Sequence, residues 1–137
     1  MHDHRTLTEL ERFTMTVLAG KRILVVEDEV LIAAFVEDIL NGFGASVVGP
    51  AYTVAKGLAL ATTVAIDAAL LDVNVRDESI IPVRDALRLR GVPIVFVTGY
   101  GRDASRDVTD GATVVDKPYS KDRIEKALTE SLSVGEP

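Results

Sequence analysis

The chain has 137 residues, 47% of them hydrophobic, which suits one compact domain with one core. It contains no cysteine, so disulfides, thiolate catalysis and cysteine-based zinc sites are excluded. Its 21 acidic residues outnumber the 15 basic ones, and the formal net charge is −6. This balance argues against a nucleic-acid partner, because binding a phosphate backbone depends on a basic face.

Neither a membrane segment nor a secretory signal is expected. No apolar run approaches the roughly 20 residues that span a bilayer, and the residues after Met1 lack the apolar core of a signal peptide. We therefore expect a cytoplasmic protein. The two histidines, His2 and His4, lie at the N-terminus, so a histidine-rich metal site elsewhere is excluded and a Ser/His/Asp triad is not expected.

Short apolar runs rich in β-branched residues alternate with helical patterns from Arg22 onward. The runs are too short for helices and too uniformly apolar for half-exposed strands, which predicts buried parallel strands. They cover residues 23–26, 46–48, 68–71, 94–97 and 113–115.

Helical periodicity fills the intervals between these strands. Glu29 is expected on the first turn of the first helix, which Gly42 and Gly44 should end. Thr53 is the expected N-cap of the second helix, and the third should begin near Ser79, with Pro82 in its first turn. A short fourth helix is predicted over residues 102–109 and a last one from Ser120. The apolar positions expected to face the core are Ile32, Phe35, Val36, Ile39, Leu40 and Phe43 in the first helix, Val54, Leu58 and Ala61 in the second, Val83, Ala86 and Leu87 in the third, and Ile124, Ala127, Leu128 and Leu132 in the last.

The alternation of strand and helix repeats five times, which predicts a parallel sheet with helices on both faces. With right-handed crossovers, the favoured fold is a flavodoxin-like (βα)5 doubly wound parallel sheet with strand order 2-1-3-4-5. We expect the domain to span residues 21–134, followed by a tail at 135–137. Residues 1–20 form an N-terminal extension that is either helical, through Leu7, Leu10, Val17 and Leu18, or disordered, with Met15 as the natural start.

Polar residues follow the predicted strands at the edge where sheets of this kind bind ligands. Glu27 and Asp28 follow the first strand, and Asp72 ends the third. Thr98 ends the fourth strand, and Lys117 follows the fifth. Loops are commonly polar, which explains any one of these positions but not readily all of them at one edge.

Clustered carboxylates repel one another, and a hard cation relieves that repulsion. Mg²⁺ fits best, because it takes one or two carboxylates together with waters and a phosphate oxygen. Asp28 and Asp72 are the expected side-chain ligands, and Glu27 would act directly or through water. The backbone carbonyl of Asn74, two residues beyond Asp72, is placed to contribute a further oxygen. Calcium is the alternative, but the EF-hand loop spacing is absent.

Four segments, taken in order over about residues 22–132, resemble the signatures of the response-regulator receiver domain: ILVVEDE, ALLDVNV, VFVTGYG and VVDKPYS. Each segment alone is a weak signal, and the ordered set is specific. The resemblance implies phosphotransfer from the phosphohistidine of a sensor histidine kinase or a histidine phosphotransferase. Asp72 matches the phosphoacceptor, and Glu27 and Asp28 match the acidic pair. Thr98 matches the conserved hydroxyl residue and Lys117 the conserved lysine.

The mechanism that the resemblance implies depends on charge. An ionised Asp72 needs no general base, so the site has to supply in-line positioning and charge neutralisation. Mg²⁺ and Lys117 would neutralise the phosphoryl oxygens, helped by the backbone amides of Gly99 and Asn74. Thr98 would donate a hydrogen bond to the new phosphoryl group and so couple the chemistry to the surface of the fourth helix, fifth strand and last helix. The structural alternative for Lys117 is a solvated loop lysine, and for Thr98 it is a hydroxyl that caps a strand end.

Three positions depart from the usual receiver pattern. Val114 stands where most receivers carry an aromatic residue, three positions before the lysine, so the usual aromatic switch is absent there. Arg76 replaces a common proline, which leaves the shape of that loop open. Residues 96–100 resemble the FATGUY variant with Val97 in place of its alanine, so Tyr100 would join Thr98 as a switch residue. A tyrosine that only packs over the loop is an equal alternative.

The expected function is that of a stand-alone receiver and phosphoacceptor signalling protein. Its only reactions would be Mg²⁺-dependent self-phosphorylation and slow autodephosphorylation. Output would be contact with a downstream protein target or onward phosphotransfer, and homodimerisation is left open. A degenerate receiver that acts as an unphosphorylated scaffold is a second interpretation, against which the intact Asp72, Thr98 and Lys117 argue. A haloacid-dehalogenase-like phosphohydrolase is a third, but such enzymes carry an acid two residues after the nucleophile, where this chain has Asn74.

Overall fold

The structure is a computed structural model that describes residues 8, 9, 12, 17–99, 108–110, 112–116 and 120–134. Its strands are β1 (Arg22–Val26), β2 (Ser46–Ala51), β3 (Ala68–Asp72), β4 (Asn74–Val75), β5 (Glu78–Ser79), β6 (Ile94–Thr98) and β7 (Thr113–Asp116). Its helices are α1 (Val30–Gly42), α2 (Val54–Thr63), α3 (Ile81–Leu89) and α4 (Lys121–Val134). Within these described ranges, no helix combines the length and the apolar character needed to cross a membrane.

The main sheet in the described part of the chain has five parallel strands in the order β2-β1-β3-β6-β7. This order confirms the predicted flavodoxin-like arrangement, because β6 and β7 are the fourth and fifth strands of the alternating pattern. β1 and β3 are neighbours, with Val26 opposite Leu71. The chain leaves β1 toward β2 on one side and continues from β3 on the other, which creates the switch point at which such sheets bind ligands.

Two hydrophobic clusters cover the two faces of the sheet. Ile23 and Val25 of β1 belong to the first cluster, and Leu24 and Val26 belong to the second. Successive side chains of a strand point to opposite faces, so a strand covered on both sides has to be apolar throughout. Helices α1 and α4 supply the first cluster, and α2 and α3 supply the second.

The first helix ends as predicted, but one of its apolar residues faces solvent. α1 ends at Gly42, and Gly44 has a φ of +79°. Val36 is buried, whereas Phe35 is 46% exposed, so the prediction of Phe35 as a core residue is wrong. Phe35 lies about 100° around the helix from Val36, and Ala33 takes the buried side instead.

The second and third helices differ in how well their starts were predicted. The Thr53 N-cap is confirmed, because its Oγ1 accepts a hydrogen bond from the Lys56 N–H at 3.1 Å. α3 begins at Ile81, two residues after the predicted start near Ser79, because Ser79 belongs to β5. The Ser79 Oγ still accepts from the Ile81 N–H at 3.2 Å, so the serine contributes to the helix start from outside it.

Two arginines of α3 hold the end of the segment that follows β6. The Arg84 Nη1 donates to the Val108 carbonyl at 2.8 Å, and the Arg88 Nη2 donates to the Thr109 carbonyl at 3.2 Å. Val108 and Thr109 are helical, and the rest of the helix predicted over residues 102–109 lies outside the described residues.

The N-terminal segment contributes to the core through its last turn. Val17 and Leu18 are helical, and Leu18 is fully buried in the first cluster. The Gly20 N–H then donates to the Gly44 carbonyl at 2.9 Å, which ties this segment to the end of α1. Leu7 and Leu10 lie outside the described residues.

Candidate functional site

Three acidic residues meet at the carboxyl ends of β1 and β3. Glu27 and Asp28 directly follow β1, and Asp72 is the last residue of β3. One carboxylate oxygen from each lies within 4.8 Å of the other two. The structure thus brings together the three acids that the sequence places at this edge, although Asp28 and Asp72 are 44 positions apart in the sequence.

Each of these three carboxylates accepts a hydrogen bond from a backbone N–H. The bonds are Glu29 N–H to Glu27 Oε2 at 3.0 Å, Asn74 N–H to Asp72 Oδ1 at 3.1 Å, and Arg76 N–H to Asp28 Oδ2 at 3.0 Å. Hydrogen bonds to an ionised acceptor are stronger than neutral ones. They therefore orient the carboxylates and offset part of the repulsion among them.

Burial makes the remaining repulsion costly. Glu27 is 2% exposed and Asp72 is 3% exposed, while Asp28 is partly buried. Buried charges of one sign are unfavourable unless a counter-charge is present. The donor set consists of hard oxygens, and oxygens around one Mg²⁺ stand about 3–4 Å apart. The three carboxylate oxygens lie within 4.8 Å of one another, so small side-chain adjustments would bring them to the spacing of Mg²⁺ ligands. The residues present therefore fit Mg²⁺.

Two of the three acids, Asp28 and Asp72, line an open cavity of about 340 Å³. Since a water molecule occupies about 30 Å³ in the liquid, this volume holds a hydrated cation together with a phosphoryl group. The lining residues are Asp28, Glu29, Asp72, Asn74, Arg76, Asp77 and Gly99. Arg76 is the one basic residue among them, within the part of the chain that the structure describes.

Glu29 occupies a different place from the one predicted. It is the N-cap of α1, one residue before the helix, and it lines the cavity. The predicted position was the first helical turn, away from the site. Glu29 comes only three positions after the end of β1, so it lies at the same edge of the sheet as Glu27 and Asp28. This closeness to the strand end could have indicated that Glu29 belongs to the site.

Asn74 contributes its backbone to the site in an additional way. It begins β4, and its N–H donates to Asp72, the last residue of β3. The role predicted for its carbonyl as a metal ligand stays a prediction.

Thr98 and the end of β7 complete the described edge. Thr98 is the last residue of β6, is buried, and lies opposite Asp116 in the parallel register. Lys117 follows Asp116 directly, but Lys117 and Tyr100 both lie outside the described residues. Their predicted roles stay predictions that rest on the sequence.

The loop after Asp72 forms a hairpin, which was not predicted. β4 and β5 pair antiparallel, with Asn74 opposite Ser79. The two residues between the strands, Arg76 and Asp77, have φ angles of +53° and +60°. Two positive φ values characterise the type I′ hairpin turn, which favours Asn-Gly. A left-handed conformation costs an ordinary L-residue about 1–2 kcal/mol, so local sequence signals gave no indication of this turn.

The family model for the response regulator receiver domain matches residues 23–129. The chain belongs to this family. Receiver domains are signalling phosphoacceptors.

One curated relative is the phyllosphere-induced regulator PhyR of Methylorubrum extorquens, which is 29% identical over 114 residues. The alignment covers 80% of this chain but 43% of PhyR, so the chain spans less than half the length of this relative.

Solved structures agree with the fold. SdrG from Sphingomonas melonis Fr1 is 42% identical with a TM-score of 0.73, and the match covers 85% of this chain and 98% of SdrG. The receiver domain of the sensor histidine kinase PA1611 from Pseudomonas aeruginosa PAO1, solved with a magnesium ion in its active-site cleft, is 22% identical with a TM-score of 0.74. That match covers 84% of this chain and 99% of the PA1611 domain, and at this identity it establishes the fold alone.

Proposed function

We propose that this chain accepts a phosphoryl group on Asp72 from a sensor histidine kinase or a histidine phosphotransferase. It then signals by binding a downstream protein target or by passing the phosphoryl group on. The observation that carries the proposal is the convergence of the Glu27, Asp28 and Asp72 carboxylates at the switch point of a receiver-family sheet. A cytoplasmic location and homodimerisation stay predictions.

Asp28 and Asp72 would hold Mg²⁺ through their side chains, with Glu27 and the Asn74 carbonyl completing the protein's share of the ligands. When bound, Mg²⁺ supplies positive charge that offsets both the carboxylates and the phosphoryl oxygens. The protein's own contribution is to orient the ligands, and the three backbone N–H bonds to the carboxylates support that role.

In the transfer step, a carboxylate oxygen of Asp72 attacks the phosphorus of a phosphohistidine in line with its P–N bond. A P–O bond forms, the P–N bond breaks, and the electron pair of that bond stays on the imidazole nitrogen of the donor. Asp72 is ionised when it attacks, so no proton has to be removed first. Lys117 would pair with the phosphoryl oxygens, and Thr98 would donate a hydrogen bond to the product. Their positions in the four signatures support these two roles.

The donor histidine has to reach Asp72, which is almost fully buried at the base of the cavity. The donor protein must therefore cover the rim, which includes Glu29, the residue directly before α1. In the helix that follows, Leu31 is 86% exposed and Phe35 is 46% exposed, four positions apart on one side. Adjacent exposed apolar side chains are typical of a protein-binding surface. We assign this side of α1 to the histidine-bearing partner.

The test is incubation with acetyl phosphate in the presence of Mg²⁺, and in parallel with the metal removed by EDTA, followed by intact-mass measurement. The proposal requires the addition of one phosphoryl group with Mg²⁺ and little or none with EDTA. A protein that stays unmodified with acetyl phosphate and also with histidine kinases would be a scaffold and would contradict the proposal.

A further inference from the structure

The hydrogen bond between Arg76 and Asp28 differs from the other two amide–carboxylate bonds of the site. Glu27 and Asp72 each accept from an N–H two residues further along the chain. Asp28 instead accepts from Arg76, 48 residues away, so its bond joins two separate loops. The orientation of Asp28 thus depends on the fold of the hairpin.

The hairpin presents this N–H through an unusual backbone. Arg76 and Asp77 both adopt positive φ, +53° and +60°, although neither is glycine. The short strands on either side anchor the turn, because Val75 is fully buried and so is Ile80 directly after β5. A turn that is fixed at both ends and left-handed at its tip directs the residue-76 amide toward the acidic pocket.

We propose that Arg76 is a positioning residue for the metal site and that it acts through its backbone amide. The bond to Oδ2 restricts the rotation of the Asp28 carboxylate, so less conformational freedom is lost when the cation binds. Hydrogen-bond partners of metal-binding side chains affect affinity in this way. The inference rests on the proposed function, because it takes Asp28 as a ligand of Mg²⁺.

If Arg76 acts through its backbone N–H, substitutions that keep the N–H should differ in effect from one that removes it. Arg76→Ala removes the guanidinium and keeps the N–H. Arg76→Gly also keeps the N–H and adopts positive φ without strain. Arg76→Pro removes the N–H and fixes φ near about −65°, so it eliminates both the donor and the turn. The proline that is common at this position in receivers therefore cannot form the bond seen here.

The first measurement is Mg²⁺ affinity by isothermal titration calorimetry. We expect Arg76→Ala and Arg76→Gly to bind within about twofold of wild type and Arg76→Pro to bind about tenfold more weakly. In an Asp28→Ala background, Arg76→Pro should cause no further loss, because the carboxylate that it positions is gone. A general structural defect would lower the affinity in both backgrounds.

The second measurement does not require metal. In ¹H–¹⁵N spectra of the full chain, the residue-76 amide proton should resonate downfield and exchange slowly, since it is bonded to a carboxylate. Asp28→Ala should remove both properties, and Glu29→Ala should leave them unchanged. If Arg76→Pro fails to fold, this comparison decides the question.

Three results would overturn the inference: wild-type Mg²⁺ affinity in folded Arg76→Pro, a loss in Arg76→Ala as large as in Arg76→Pro, or a residue-76 amide that is unaffected by Asp28→Ala. Absence of Mg²⁺ binding by the wild type would overturn it as well. Failure of the proposed function would give a different result. The Mg²⁺ affinities and the residue-76 amide signals of the variants would be as expected, but the wild-type protein would take up no phosphoryl group from acetyl phosphate.

Discussion

Gly57 of α2 lies directly against Val26 of β1. A Cβ atom built on Gly57 would stand 2.9 Å from Val26 Cγ2 and 3.5 Å from Val83 Cγ2 of α3. Val26 is the residue before Glu27, so this contact fixes the height of α2 over the strand that carries the acidic pair. The helix can approach so closely because Gly57 has no side chain.

Gly57→Ala is therefore expected to lower the free energy of unfolding by about 1–3 kcal/mol, the usual range for overpacking a core. Urea denaturation followed by circular dichroism measures this change. Gly42→Ala is the matched control, because in the described part of the chain no atom beyond its chain neighbours and the nearby backbone of its own helix lies within 4 Å of the position of its Cβ. The control should be neutral or stabilise by up to about 1 kcal/mol. Equal effects of the two substitutions would mean that the close packing of α2 is not required.

Asp28→Ala should abolish most of the thermal stabilisation that Mg²⁺ provides. A ligand at 100 times its Kd stabilises the folded state by about 2.7 kcal/mol, and this gain should largely disappear in the variant. Without metal, the variant should be at least as stable as wild type, because one of three clustered carboxylates has been removed. Thermal melts with and without MgCl₂ measure both effects.

The control for this experiment is Glu29→Ala. Glu29 lines the same cavity, but its contribution to Glu27 comes from its backbone N–H, which alanine retains. Its Mg²⁺ stabilisation should stay close to that of wild type. If Glu29→Ala lost as much Mg²⁺ stabilisation as Asp28→Ala, the proposed position of the metal at the Asp28 carboxylate would be wrong.

Leu31→Ala should slow phosphotransfer from a cognate histidine kinase about tenfold, because central apolar contacts of an interface contribute more than about 1 kcal/mol each. Phosphorylation by acetyl phosphate should be unchanged, since a small donor does not touch α1. Leu89→Ala is the control: Leu89 is 90% exposed at the end of α3, away from the cavity lining. A kinase reaction that slows equally in both variants would argue against α1 as the docking side.

Lys117→Ala should leave Mg²⁺ affinity roughly intact and uncouple phosphorylation from partner binding. An ammonium group does not coordinate a cation of like charge, but it pairs with phosphoryl oxygens. Metal affinity and partner binding by the phosphorylated protein are the two quantities to compare. If the variant bound metal poorly but still bound its partner normally when phosphorylated, Lys117 would have only a structural role.

The sheet was predictable because its signals are continuous along the chain. β3 and β6 are buried at every position, and such uniformly apolar runs occur almost only in strands covered on both faces. β2 was predicted too short, since Gly49 and Pro50 interrupt its apolar run. The structure places β2 at the edge of the sheet, where a proline is tolerated.

The site was predictable in part. The convergence of Glu27, Asp28 and Asp72 could be predicted, because each follows or ends a recognisable strand and the topology brings those ends together. The hairpin was not, because its left-handed turn at Arg76 lacks the usual glycine signal. Its bond to Asp28 spans 48 residues, and a long-range contact of this kind has no signature in a local pattern.

Identifying the phosphorylated residue tests the proposed role of Asp72 directly. Wild type and Asp72→Asn are incubated with acetyl phosphate and Mg²⁺, and intact masses are compared after equal times. The proposed mechanism predicts one added phosphoryl group in wild type and none in the variant, because the amide has no ionised oxygen to attack phosphorus. Acid-labile phosphate in Asp72→Asn at the wild-type stoichiometry would contradict Asp72 as the acceptor.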